Sequence, residues 1–105
     1  MNSVNLVEAI EYQKDAVVSK EILKTDSGTI TLFAFDEGQG LSEHSTPFEA
    51  LVQVVDGEAE ITISGKVNKV SAGEIIHMPA NHPHALKAVK RFKMLLTMLK
   101  VSEVQ

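Results

Sequence analysis

The sequence predicts an all-β protein that forms a single domain, a sandwich or barrel of about eight short strands. Three observations support this prediction. Short apolar runs recur along the chain, and turn-forming residues separate them. A chain of 105 residues is long enough to bury one hydrophobic core. Finally, 44% of the residues are hydrophobic and 23% are charged, which is the ordinary composition of a globular domain.

The first predicted elements are a short helix and a hairpin. Residues 6–12 have apolar side chains on one side of a helix of about two turns, the one candidate helix in the sequence. Strands are predicted over residues 16–23 and 29–35. The turn-forming residues 25–28 between them read Thr-Asp-Ser-Gly and indicate that the two strands form a hairpin.

The central elements are predicted from a strong turn signal. Asp56-Gly57 separates the apolar runs 51–55 and 59–63, and Asp-Gly between such runs predicts a two-residue hairpin. Within the second run, Ala and Ile alternate with polar residues, which indicates a strand with one buried and one wet face. Further strands complete the series, over residues 66–70, 74–78, 85–89 and 92–100.

Two predicted strands, around residues 50–55 and 94–99, are apolar on both faces. A barrel strand whose outer face meets water should instead alternate between apolar and polar residues. We therefore expect one face of each strand to fill the barrel. The other face is expected to be covered by the N-terminal segment or by a second subunit, and we favour a homodimer.

Composition restricts the classes of partner and cofactor. The chain has no cysteine, so it has no disulfide, and any metal must be held by His, carboxylate or water. A net charge of −4 argues against a nucleic-acid partner. Residues 1–5 lack the features of a signal peptide, and the apolar stretch 94–99 is too short to span a bilayer. We expect a soluble, cytoplasmic protein with no membrane partner.

All four histidines lie in two short windows of the sequence. His44 is in the first window, residues 38–50, and His77, His82 and His84 are in the second, residues 73–84. Histidine is the commonest metal ligand and the side chain that titrates nearest to neutral pH. This clustering is therefore the strongest functional signal in the chain.

The two windows resemble the two signature motifs of the cupin superfamily of small jelly-roll β-barrels. Six positions match the motifs in register: Gly38, His44, Gly57, Gly73, Pro79 and His84. The resemblance covers about residues 29–99. It implies one jelly-roll barrel (a double-stranded β-helix) with a short N-terminal segment, in a single domain over residues 1–105. Within the superfamily, the chain looks like the small stand-alone proteins described as quercetin-dioxygenase-like.

The chain departs from the cupin motifs at two metal-ligand positions. In metal-bearing cupins, three histidines and a glutamate hold a divalent ion, which is Fe, Mn, Ni, Cu or Zn. Here Thr46 replaces the second histidine and Ala50 replaces the glutamate. A hydroxyl is a poor ligand for these ions, and a methyl group is none. The resemblance therefore carries over only His44 and His84, and two imidazoles bind a divalent metal weakly.

His82 is the candidate third metal ligand. If the chain stays extended through Pro83, His82 and His84 point to the same face, because side chains alternate along a strand. The alternative is that His82 lies at a turn and faces solvent. His77 is expected to be a half-buried strand residue rather than a ligand. Glu49 is expected at the surface, with a swing toward the barrel mouth as the alternative.

Three functions remain open at this stage. The first is a metal-dependent enzyme, for example a dioxygenase or an isomerase, with the ion at the barrel mouth. The second is a metal-free binding module or sensor, in which Thr46 and Ala50 widen a cavity for a small-molecule ligand. The third is an isomerase or lyase that uses His44 or His84 as a general base. The sequence identifies neither the substrate nor the reaction.

Overall fold

Eight strands run through residues 2–101, the part of the chain that this computed structural model describes. They are β1 (Val17–Thr25), β2 (Gly28–Phe35), β3 (Gly40–His44), β4 (Glu49–Ile63), β5 (Lys66–Ser71), β6 (Ile75–Met78), β7 (His84–Lys87) and β8 (Phe92–Leu99). Every pairing between them is antiparallel. The predicted all-β fold, a jelly-roll barrel, is confirmed.

The strands form two sheets that share β4. The first sheet has the order β1-β2-β8-β4-β6, and the second has the order β3-β7-β4-β5. The first half of β4 pairs with β6 and β8, whereas its second half pairs with β5 and β7. One long strand therefore belongs to both walls of the barrel, and the core lies between them.

The hairpin predicted at Asp56-Gly57 is wrong, because these residues lie inside β4. The strand continues through this point with a register shift between Val54 and Asp56. Gly57 has a φ of +74°, a left-handed conformation that glycine adopts without steric cost and that β-bulges often use. A side chain on Gly57 would also meet the carbonyl oxygen of Arg91. The Asp-Gly pair bends β4 from one sheet into the other.

The hairpin predicted at residues 25–28 is confirmed, and a second one follows β4. Thr25 pairs with Gly28 at the end of the β1–β2 ladder. Ser64 and Gly65 connect β4 to β5 with φ values of +49° and +80°. Two consecutive left-handed residues are the signature of a type I′ turn, whose twist matches that of the flanking strands.

No residue between 2 and 101 is helical, so the helix predicted over residues 6–12 is wrong. The segment forms a turn in which the backbone N–H of Ala9 donates to the carbonyl of Asn5 at 2.9 Å. A helix this short gains little from its own hydrogen bonds. Side-chain packing instead determines the conformation of this segment, because Ile10 is buried against Leu32 and Ala34 on the outer face of the first sheet. Within residues 2–101, no helix has the length and apolar character needed to cross a membrane.

The barrel interior is a continuous apolar core. The rings of Phe35 and Phe92 stack at its centre with their centroids 4.5 Å apart. The other buried core residues come mainly from β4, β6, β7 and β8: Ala50, Val52, Val54, Ala59, Ile61, Val70, Met78, Leu86, Ala88 and Met94. This core confirms that one face of each doubly apolar strand fills the barrel.

Candidate functional site

Two histidines meet at one end of the barrel. His44 ends β3, His84 begins β7, and the two residues are direct cross-strand partners. Their Nε2 atoms lie 3.1 Å apart, and their ring centroids are separated by 4.4 Å with the planes at 73°. His84 is buried, with 3% of its surface exposed, whereas His44 is exposed. The pair therefore joins the barrel interior to solvent.

The other nitrogen of each ring contacts a backbone carbonyl. Nδ1 of His44 lies 2.8 Å from the oxygen of Ser42, and Nδ1 of His84 lies 3.2 Å from the oxygen of His82. Because a carbonyl only accepts hydrogen bonds, we assign the proton of each ring to Nδ1. Each neutral imidazole then presents a lone pair on Nε2, and the two lone-pair nitrogens lie 3.1 Å apart. This arrangement is unfavourable unless a proton or a metal ion lies between them.

The local environment keeps His84 neutral. Burial, and then the neighbouring His44, lower the pKa of the His84 imidazole from its ordinary value of 6.5, and the backbone contact to His82 only partly opposes this. A neutral imidazole is the form that ligates a metal or accepts a proton. His84 is therefore available for either role at neutral pH.

A cavity of about 50 Å³ lies directly beneath the histidine pair. Its walls come from both sheets: Leu41, His44, Thr46, Ala50, Met78, His84, Leu86, Met94, Leu96 and Met98. The structure thus brings together four of the five predicted site residues. A water molecule occupies roughly 30 Å³ of liquid, so the cavity suits an ion or one or two water-sized molecules rather than a drug-sized ligand.

Thr46 and Ala50 line this cavity in different ways. The Thr46 hydroxyl oxygen accepts the backbone N–H of Phe48 at 2.9 Å and so holds the loop between β3 and β4. Ala50 points inward from β4 and is buried. Neither side chain can ligate a metal as the histidine and the glutamate do that the cupin motifs carry at these positions.

His82 does not join the histidine pair in this structure. β7 begins at His84, so the strand alternation that would place both side chains on one face does not extend back to His82. Its backbone N–H closes a turn onto the carbonyl of Pro79, and its Nδ1 lies 3.0 Å from the hydroxyl of Ser64. The predicted three-histidine cluster is therefore not formed, and the alternative of an exposed turn residue describes His82. Within residues 2–101, no group of three or more His, Cys, Asp or Glu side chains is placed to hold a metal ion.

His77 and Glu49 lie together on the outer face of the first sheet. Nε2 of His77 is 3.0 Å from a carboxylate oxygen of Glu49, and the same oxygen accepts the backbone N–H of Ala80 at 2.7 Å. The hydrogen bond from the Ala80 N–H holds the pKa of the Glu49 carboxyl below its usual range, and the contact with His77 lowers it further by a smaller amount. Glu49 therefore faces away from the barrel mouth. His77 lies in β6 with 51% of its side chain exposed, so it is the half-buried strand residue that was predicted.

A larger depression lies away from the histidines, beside the bend in β4. Its volume is about 620 Å³, and its lining mixes acidic and basic side chains: Asp56, Glu58, Glu60, Lys69, Lys90 and Arg91. Charges of both signs give it no consistent field for an ionic ligand. The histidine cavity is therefore the better candidate site, because two imidazole nitrogens lie close together at its edge.

The sequence did not identify six side chains of this cavity, and three of the six are methionines: Met78, Met94 and Met98. The signal was present, because Met94 and Met98 occupy the same face of the apolar stretch 94–99. Methionine in such a stretch is indistinguishable from ordinary core packing until the neighbouring strands are known.

Comparisons with known proteins agree with this fold. Residues 31–99 match the model of the family Cupin_2, described as a cupin domain. A structure of a conserved protein of unknown function from Streptococcus pyogenes is 36% identical with a TM-score of 0.91, and the alignment covers 97% of this chain and 90% of that one. A cupin superfamily protein from Desulfitobacterium hafniense is 29% identical with a TM-score of 0.90, and the alignment covers 95% and 92% of the two chains.

A third solved structure is longer than this chain. It is a cupin 2 conserved barrel domain protein from Leptotrichia buccalis, 41% identical with a TM-score of 0.89. The alignment covers 92% of this chain but only 47% of that protein, so the chain spans about half of its length. The search of curated proteins finds no match. On the family match over residues 31–99, the chain belongs to the Cupin_2 family of cupin domains.

Proposed function

We propose that this cupin holds a metal ion at the barrel mouth between His44 and His84, and that a small molecule binds there as ligand or substrate. The observation that carries the proposal is the 3.1 Å separation of the two Nε2 atoms, with each Nδ1 tied to a carbonyl. Two nitrogens bound to one ion at about 2.0–2.1 Å lie roughly 2.8–3.4 Å apart for ligand angles between 90° and 109°. The observed separation falls within that interval.

The surroundings support an ion that keeps open coordination positions. Two histidines fill only part of the coordination sphere, and His44 is exposed, so a small molecule can reach the ion from solvent. Thr46 lines the cavity beside them, and its hydroxyl hydrogen is free to be donated to such a ligand. When bound, the metal would act as a Lewis acid on that ligand.

A metal-free role for the pair is the second candidate, and the low pKa of His84 favours it. His84, neutral at physiological pH, would then serve as a general base beside the cavity, as an isomerase or lyase needs. The 3.1 Å contact is compatible with both functions, so the structure alone does not choose between them. A metal titration does, because only the first function requires a bound ion.

The test is a calorimetric titration with Zn²⁺, Ni²⁺, Mn²⁺ and Fe²⁺ on untagged protein. We expect modest binding by the wild type, and loss of binding in His44→Ala and in His84→Ala. His82→Ala is the matched control, since it removes a histidine two residues from His84 that lies outside the cavity. Equal affinity in all four proteins would refute the metal site, and no binding of these ions or of Cu(I) by any of the four would favour the acid–base role.

We also propose that two chains associate through the outer face of the first sheet. The N-terminal segment covers this face around Leu32 and Ala34 but not farther along the strands. Beyond it, exposed or half-buried apolar side chains remain on five neighbouring strands: Leu23, Ile30, Leu51, Ile75 and Leu99. Ile75 is 61% exposed and Leu99 is 49% exposed. Apolar residues grouped in this way are typical of a surface that a second subunit covers.

A further inference from the structure

Three of the four methionines in the chain line the histidine cavity. We infer that the thioethers of Met78 and Met98 complete the coordination begun by His44 and His84, and that the ion this site selects is Cu(I). The inference rests on the proposed metal site and adds its missing donors and the class of ion.

The two methionines flank the position that lacks a carboxylate. Ala50 on β4 has two direct cross-strand partners, Met78 on β6 and Met98 on β8. Side chains opposite each other in an antiparallel sheet have Cβ atoms about 4.5–5.5 Å apart. The methyl group of Ala50 fills little of the space between them. A methionine side chain has three rotatable bonds, so its sulfur can move into the space that a glutamate would take.

Met94 lines the same cavity but lies deeper in the barrel. Its cross-strand partner is Val54, four residues along β4 from Ala50, and it is almost completely buried. His44 and His84 lie at the barrel mouth, where β3 ends and β7 begins. Met94 is therefore a packing residue of the cavity floor and provides a matched control for the two proposed ligands.

The charge of the cavity favours a monovalent ion. Among its lining residues, all within the described part of the chain, there is no carboxylate. The nearby Glu49 faces the opposite side of the sheet and is engaged by Ala80 and His77. The solvation cost of a buried ion rises with the square of its charge, so an uncompensated dication is penalised far more than a monocation.

The donor atoms favour a soft ion. Thioether sulfur selects Cu(I), whereas Mg²⁺, Ca²⁺ and Mn²⁺ prefer oxygen ligands, and imidazole is compatible with copper. The lining offers two imidazoles and three thioethers, and the hydroxyl of Thr46 is its one side-chain oxygen. With Thr46 and Ala50 in place of the histidine and the glutamate of the cupin motifs, the site has no carboxylate. Its remaining side-chain donors are mainly imidazole nitrogen and thioether sulfur.

The inference is tested by anaerobic competition of the protein with bicinchoninate for Cu(I), with Zn²⁺ titrations in parallel. The variants are Met78→Leu/Met98→Leu, with Met94→Leu as control, because Met to Leu nearly conserves volume. We expect the double variant to lose at least about tenfold in Cu(I) affinity, the lower end of what even outer-sphere partners of metal sites contribute. Met94→Leu should stay close to wild type, and Zn²⁺ affinity should be unchanged by any of the three substitutions.

The outcomes distinguish this inference from the proposed function. Unchanged Cu(I) affinity in the double variant, with affinity still lost in His44→Ala, would overturn the thioether ligands and leave the histidine site standing. Unchanged affinity in His44→Ala as well would overturn both. If the double variant does not fold, X-ray absorption of wild-type protein loaded with Cu(I) decides. A sulfur shell around copper supports the inference, and a shell of nitrogen and oxygen alone overturns it.

Discussion

Nε2 of the buried His84 lies 3.1 Å from Nε2 of the exposed His44, while both Nδ1 atoms contact backbone carbonyls. The backbone at residues 42 and 82 therefore holds the two lone-pair nitrogens next to each other. Such an arrangement is preorganised for a metal ion, because the two nitrogens already lie at the separation that one ion requires.

The burial of His84 predicts how the stability of the metal-free protein depends on pH. The folded-state pKa of His84 lies below 6.5, so below that pH the unfolded chain binds a proton that the folded chain does not. The free energy of unfolding should therefore fall as the pH drops below 6.5, until the pH has passed the folded-state pKa. Urea unfolding between pH 7.5 and pH 5 measures this. His84→Gln should flatten the curve and His82→Gln should not, and parallel curves for wild type and His84→Gln would contradict the account.

Restoration of the missing ligands predicts a gain of function. Thr46→His with Ala50→Glu should tighten Zn²⁺ binding by about two orders of magnitude or more, since even outer-sphere partners are worth 10–100-fold. Gln53→Glu is the control for added charge, because it lies on the outer face of the same strand. Calorimetry on both variants checks the prediction. An affinity gain no larger than that of Gln53→Glu would mean that positions 46 and 50 do not point at the ion.

The outer-face patch predicts the oligomeric state. Multi-angle light scattering at micromolar concentration should give about twice the chain mass of 11.5 kDa. Ile75→Glu with Leu99→Glu should give monomers, because each change places a charge in the apolar patch. Val67→Glu is the control, since Val67 is 56% exposed but lies on β5 in the other sheet. A monomeric wild type, or dissociation by the control alone, would contradict the proposed dimer face.

The N-terminal segment predicts a stability effect far from the site. The Tyr12 hydroxyl donates to the Asp56 carboxylate at 2.5 Å, and the Arg91 guanidinium lies over the Tyr12 ring. Tyr12→Phe removes the hydrogen bond but keeps the ring, so we expect a loss of about 1.5–3 kcal/mol, typical of a hydrogen bond to a charged group. Chemical denaturation measures it, and metal affinity should stay unchanged. A loss below about 0.5 kcal/mol would show that solvent replaces the bond at this half-buried site.

The strands were predicted well where apolar and polar residues alternate along the sequence. They were predicted poorly where the backbone changes direction. Asp56-Gly57 and Ser64-Gly65 carry the same local turn signal, yet the first bends a strand and the second closes a hairpin. Only the pairing partners of β4 decide between the two outcomes, and those are tertiary contacts. β3 was not predicted from the sequence, because Leu41 is its one large apolar residue and a single apolar residue gives no alternating pattern.

The candidate site shows the same limit. Motif register placed His44 and His84 together correctly, because their positions depend on the barrel topology that the motifs encode. The position of His82 depends on where β7 starts, a local detail that alternation alone does not fix. The roles proposed for Met78 and Met98 depend on their shared neighbour Ala50, which becomes visible only from strand register.

The measurement that tests the central claim most directly is a ¹H–¹⁵N NMR spectrum of the histidine rings, recorded before and after addition of metal. The account predicts that His44 and His84 carry their proton on Nδ1, and that metal shifts their two Nε2 resonances and leaves His77 and His82 unchanged. Protonation of either ring on Nε2 in the metal-free protein at neutral pH would contradict the lone-pair assignment. Metal shifts confined to His77 or His82 would place the ion outside the barrel.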